Sequence, residues 1–418
     1  MSLLLKTPPL LRQRDFRRFW TAQTVSYLGD QVTVVALPLV AVLALHASAA
    51  ELGYLTAAAS LPNLLLGLHA GALADRGGSR RAMMVATDLA RMVLLLSVPV
   101  AFTLGWLTSA QLYAVAFLTG ALALLFNVSS ASLFPALVPR DRFVQGNSLL
   151  RGSFSFSWVA GPSAAGLIVQ VISAPVALVL DAVSFLASAL LLGSIGREEP
   201  RQDESRHGGG VRAGLRYLLA SPVLRARTLS GAVLNFSYTA YFTLLFLFAA
   251  RELHLSPGMI GFAIGAGAVG ALVGAVVAPR LSGRMGVGPA LIAGAVAYPG
   301  ALLLVPLAPG DAPWLAVAVI AAAEFVSGAG LMLDDIAGAS IQQAVTPQGM
   351  LGRVSGAHMT LSSGARPLGA LAAGALGTWM GLGPTIALAA VVGLLSAGFL
   401  LASPIPRMRD LPEQSPGD

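Results

Sequence analysis

The chain has 418 residues, 56% of them hydrophobic and 11% charged, with a mean hydropathy of +0.76. A soluble domain is about a quarter charged, so the composition excludes an ordinary soluble protein and describes a chain that crosses a membrane many times. Zero cysteines exclude disulfides, iron–sulfur clusters and thiolate metal sites, the one lysine (Lys6) sits in no phosphate loop, and the net charge of +7 is carried in loops between apolar runs, which argues against nucleic acid.

Apolar runs bounded by charge, Pro or Gly predict twelve spanning helices, near 19–44, 50–74, 82–106, 110–136, 145–170, 174–195, 226–250, 257–280, 288–308, 313–337, 353–378 and 383–403. The predicted fold class is an all-α membrane protein of two six-helix halves. Residues 1–195 form the first half, 196–225 a linker with an amphipathic piece, 226–403 the second half and 404–418 a disordered tail. The run behind the basic N-terminus is too long for a signal peptide and reads as a retained first span. With the N-terminus inside, 22 of the 26 Lys and Arg fall in inner segments and one, Arg251, in an outer loop, the bias that orients membrane proteins. The halves repeat weakly. Ala74–Arg80 aligns with Ala278–Arg284 at an offset of 204, Gly161-Pro162 with Arg366-Pro367 at 205, and Val138-Pro139 with Thr346-Pro347.

An ionisable side chain at the centre of a span costs about 2.5–3.5 kcal/mol on insertion scales, so each one is a functional candidate. In chain order, Gln23, Tyr27 and Asp30 share one stripe of span 1. At roughly 1.5 Å per residue, Asp30 lies ~16 Å deep, a candidate proton carrier or cation ligand. The loop after span 2 reads Gly71-Ala-Leu-Ala-Asp75-Arg76-Gly-Gly78-Ser-Arg80-Arg81. Asp88 and Arg91 stand at i, i+3 in span 3 and form a local intramembrane ion pair. Span 4 carries Asn127. Span 5 holds a small-residue ladder with Ser157, Gly161, Pro162 and Gly166, which permits tight helix packing. Asp181 braces span 6, Asn235, Tyr238 and Tyr241 follow in span 7, Glu324 lies deep in span 10 with Asp334 and Asp335 at its inner end, and Arg366 lies within span 11. No catalytic cluster, metal-ligand set or cofactor motif accompanies them, and no enzyme is expected.

The loop Gly71, Asp75, Arg76, Gly78, Arg80, Arg81, placed after the second of twelve spans, resembles the signature loop of the major facilitator superfamily. The resemblance covers the whole chain and is nearest the exporter branch that includes the enterobactin exporter and macrolide-efflux proteins. It implies that this loop is a conformational latch, that the span 5 ladder is the motif associated with export, and that spans 1, 4, 7 and 10 line a central cavity. Asp30, Glu324, Tyr27, Gln23, Asn127, Asn235, Tyr238 and Arg366 would then form the proton-coupling and substrate site. The arginine that many proton-coupled members carry in span 4 is missing, a departure from the usual proton-coupling arrangement that leaves room for another arginine in its place. The expected function is proton-coupled efflux of a small organic molecule by alternating access, with nutrient uptake in the same fold as the alternative. A membrane enzyme or receptor is the third reading. The implied setting is a bacterial plasma membrane, with a monomer in the bilayer and both termini cytoplasmic.

Overall fold

The computed structural model describes residues 9–67, 79–196, 210–347 and 350–410. Their backbone is built almost wholly of helices: α1 (Arg14–Leu43), α2 (Ala49–Leu66), α3 (Arg80–Thr103), α4 (Ser109–Leu137), α5 (Phe143–Ile172), α6 (Ala174–Gly193), α7 (Gly210–Ala220), α8 (Pro222–Arg251), α9 (Pro257–Met285), α10 (Val287–Ala301), α11 (Pro313–Ala344), α12 (Leu351–Ser363), α13 (Arg366–Met380) and α14 (Leu382–Leu401). A 3-10 segment, Leu302–Leu307, extends α10. Ten of the described spans are long and apolar enough to cross a membrane. Together with α2 and the pair α12–α13 they make twelve. Helices suit this setting because hydrocarbon offers no partner to a free backbone N–H or C=O. Large apolar side chains such as Val171, Leu307 and Trp379 point outward, as lipid-facing surface requires.

Ser and Thr start many of the helices. Ser48 closes a capping box with Glu51, and Ser79, Thr108, Ser221 and Ser256 each accept a bond from the first turn behind them. α7 is the amphipathic piece of the linker. Its Leu215 and Leu218 pack with Val354 and Ala357 of α12, and Tyr217 donates to the Val345 carbonyl at 3.0 Å.

Of the alignments read from sequence, Val138-Pro139 with Thr346-Pro347 stands at 208, and that is the register of the structure. The bounds of α1 and α8 and of α6 and α14 stand 208 residues apart. The same offset relates His46 to His254 and Ser173 to Gly381, all four with positive φ. The 205 offset of Gly161-Pro162 to Arg366-Pro367 is not the structural one, since α5 and the α12–α13 pair begin and end 208 residues apart, while the 204 match falls mostly outside the described residues. α11 is three residues longer than α4, so one constant shift cannot align every segment.

The halves meet through α2 against α13 and α5 against α9. Each crossing is a glycine pair, and the two pairs are equivalent at an offset of 208. A β-carbon on Gly53 would lie 2.9 Å from Gly374 Cα, and one on Gly166 would lie 2.8 Å from Gly261 Cα. Both crossings lie away from the face that carries the arginine-bearing ends, here called the basic face. At the opposite face Arg251 donates to the Ala47 carbonyl at 2.9 Å, and Gln170 accepts from the Gly258 amide at 3.0 Å. One core cluster draws residues from both halves, including Leu37, Leu39, Leu244 and Phe248. The smaller clusters nearer the basic face each belong to a single half, Phe16 with Phe126 and Leu133 in the first, and Leu291 with Ile341 in the second.

Candidate functional site

A cavity of about 410 Å³ lies where α1, α2, α3, α4, α6 and α8 converge. Val34, Leu37, Leu55, Leu95, Phe242 and Phe246 supply apolar walls, while Asp30, Arg91 and Asp181 bring charge to it. α1 and α6 approach closely because residue 29 is glycine. A β-carbon there would lie 2.8 Å from Ser184 Cβ. This approach sets Asp30 and Asp181 beside one another.

Arg91 links the acids. Its guanidinium donates to Asp30 across the helices, reaches Asp88 of its own helix at 4.0 Å, and lies 3.9 Å over the Phe185 ring. The sequence reading made Asp88 its partner. In the structure the hydrogen bond goes to Asp30, because α1 and α3 both pack on α6. Asp181 accepts from Thr33 and from Ser184, the latter at 2.9 Å. Asp88 and Asp181 are fully buried, and Asp30 keeps about a third of its side chain exposed (35%). Two carboxyl groups therefore share one guanidinium, and the third, Asp181, lies beside them on hydroxyl donors. A low-dielectric site disfavours two uncompensated negative charges.

Glu324 does not line this cavity. It is buried in α11, where it accepts the Tyr241 hydroxyl at 2.6 Å, and Gly267 of α9 leaves it room. Tyr238 packs against Tyr241 and Tyr298, with ring centroids 6.1 and 5.6 Å away. Asp30 and Thr33 of α1 stand 208 residues before Tyr238 and Tyr241 of α8. The second half thus places aromatic hydroxyls and a glutamate where the first half places its charged cluster. Arg366 donates to Asn235 at 2.7 Å, and Asn235 donates to the Gly231 carbonyl at 2.8 Å. Gln23 donates to Ser130 of α4, Tyr27 meets the Phe154 ring edge-on at 5.4 Å, and Asn127 is exposed.

In the span 5 ladder, Ser157 donates back to the Ser153 carbonyl at 2.9 Å. Gly161 faces Gln31 of α1, and the Pro162 carbonyl and Gly166 face Gly261 of α9. Of the loop after span 2, Gly71, Asp75, Arg76 and Gly78 lie outside the described residues. Arg80 opens α3, and Arg81 donates to the Ile195 carbonyl beyond the end of α6. Sequence reasoning missed Thr33, Phe185 and Arg227. Arg227 falls at the very start of the predicted span 226–250, where it reads as an inner-end cation, but α8 begins at Pro222 and carries it into the bundle, where it is buried. The proline-led helix start Ser221-Pro222 was the available signal.

Residues 7–416 match the family described as transmembrane secretion effectors. The chain is 28% identical over 400 residues to the multidrug efflux pump Tap of Mycolicibacterium fortuitum, covering 92% of this chain and 93% of that one. It is 26% identical over 418 residues to the enterobactin exporter EntS of Escherichia coli, covering 99% and 96%. Its fold is similar to that of a bacterial homologue of the lysosomal transporter Spinster in an inward-facing, unoccupied conformation, with a TM-score of 0.75 at 16% identity and coverage of 99% and 100%. With twelve spans in two pseudo-equivalent halves and a match over nearly its whole length, this chain belongs to the transmembrane secretion effector family of major facilitator transporters.

Proposed function

We propose that the protein is a proton-driven exporter of a small organic molecule, working by alternating access as a monomer in a bacterial plasma membrane with both termini cytoplasmic. The observation that carries this reading is the imbalance at the cavity, where Asp30 and Asp181 line the wall with Arg91, and Arg91 pairs with both Asp30 and the buried Asp88 behind it. A proton arriving at Asp30 dissolves its ion pair and frees Arg91 to turn toward Asp88 and Asp181. That exchange changes the charge met by a substrate, and coupling follows if the two states of the halves bind the proton with different affinity. Arg91 takes the place of the span 4 arginine of other members.

The shared core at the opposite face fits a state open toward the cytoplasm. The direction of transport is supported by the relatives named as an efflux pump and an exporter. The test is accumulation of a panel of amphipathic drugs and a catecholate siderophore in an efflux-deficient bacterium. Wild type should lower accumulation of at least one compound, and both Asp30→Asn and a protonophore should abolish the effect. Gradient-driven export that survives Asp30→Asn removes Asp30 from the coupling step. Accumulation that rises with the gradient makes the protein an uptake system.

A further inference from the structure

A second charged cluster lies in the other half, away from the cavity. Arg227 of α8 and Asp334 of α11 are both buried and pair at 3.1 Å. Glycine stands one turn beyond each of them. A β-carbon on Gly338 would lie 2.6 Å from Arg227 Cζ, and one on Gly231 would lie 3.6 Å from both Arg227 Nη1 and His358 Cε1. The two helices therefore leave a space that the guanidinium fills. The contact continues to α12, where His358 Nδ1 lies 2.9 Å from Thr228 Oγ1. Thr228 directs its one hydroxyl proton at the Leu224 carbonyl, 2.8 Å away. We therefore assign the Nδ1–H tautomer to His358, with the imidazole donating to Thr228.

α12 is the basic-face part of a broken span. Gly364 and Ala365 separate it from α13, and Pro367 has no N–H to offer the carbonyl of Ser363. The two parts have different neighbours. α12 packs chiefly on α7 and α8, whereas α13 packs on α2 of the other half and on α8. Few side chains of α12 are buried, while Met359 and Leu361 are exposed.

We propose that the Arg227–Asp334 pair is a positioning element for α12, and that α12 is a gate segment turning about the Gly364–Pro367 joint independently of α13. The inference rests on alternating access but not on the role given to Asp30. A buried ion pair stabilises no better than packed apolar residues, but it admits one orientation and so sets where Thr228 and His358 meet. Arg227 Nε and Asp334 Oδ1 have no hydrogen-bond partner among the described residues, which leaves a donor and an acceptor for a second arrangement of the same helices.

The chain has no cysteine, so introduced pairs carry spin labels uniquely. Asn147→Cys with Gly352→Cys spans α5 to α12, and Asn147→Cys with Gly283→Cys spans α5 to α9. All three sites are exposed, and both glycines have open space around them. Distance distributions are measured on the full chain in lipid nanodiscs. Asp334→Asn and Arg227→Gln should broaden the 147–352 distribution and leave 147–283 unchanged. Arg227→Lys, which keeps the charge, should stay near wild type, and His358→Gln should broaden 147–352 alone. If Asp334→Asn cannot be recovered, the double variant R227Q/D334N, which leaves no lone charge, takes its place with the same expectation. The proposal is overturned if both distances shift together, if neither shifts, or if Arg227→Lys behaves as Arg227→Gln. Failure of the alternating-access reading shows separately, as a 147–283 distance that stays single under every pH and gradient tried.

Discussion

Removing the Arg91 guanidinium leaves Asp30 and Asp88 without a cation within 4.0 Å among the described residues. Breaking one side of a buried ion pair costs about 3–5 kcal/mol, so Arg91→Gln should lower the thermal unfolding midpoint in detergent markedly. Arg91→Lys should lose less stability, since it keeps the charge but not the planar fork that reaches two acids. A midpoint for Arg91→Gln equal to wild type would mean that the acids are neutral without it. At this scale the sequence reveals depth but not partners. Asp30 and Glu324 stand out as intramembrane acids. That Asp30 meets Arg91 while Glu324 meets Tyr241 depends on which helices touch, and no residue spacing encodes it.

The glycine crossings are features of elements. Gly166→Leu or Gly374→Leu forces a side chain against the backbone of the other half, where a β-carbon already lies 2.8 or 3.1 Å from a glycine Cα. Overpacking of this kind costs about 1–3 kcal/mol, so the equilibrium should move roughly tenfold or more toward a state parted at the opposite face. The measurement is the rate at which an impermeant maleimide, added at the opposite face, labels Thr243→Cys in the cavity wall. It should rise with either wedge and stay unchanged with Gly193→Leu, where nothing lies within 4 Å. An unchanged rate in the wedged variants would show that the crossings do not govern opening. The ladder of span 5 was readable as small residues at helical spacing. Its division of labour, Gly161 toward α1 and Gly166 toward α9, needed the packing.

At the scale of the whole molecule, the arginine distribution is the orienting feature. A green fluorescent protein inserted into the 197–209 linker should fluoresce, and alkaline phosphatase inserted at Gly310 should be active. The reverse pattern would invert the topology on which the proposed direction of transport depends. Gly310 lies between α10 and α11, at the end of the molecule opposite the arginine-bearing loops, which makes it a clean reporter position.

The amino-acid sequence by itself determined the membrane setting, the twelve spans and the resemblance to the superfamily, because hydropathy, span length and loop charge are properties of local composition. It also marked the acids worth testing, since an ionisable group deep in an apolar run is costly wherever the run packs. Only the tertiary structure decided that Arg91 serves Asp30, that Glu324 is kept off the cavity, that Arg227 is a buried partner of Asp334, and which of the three sequence offsets is the true repeat. Each of these depends on which helix faces which, and on glycines that let two backbones approach. Such contacts join residues from 61 (Asp30 and Arg91) to 321 (Gly53 and Gly374) positions apart, beyond the reach of any periodicity.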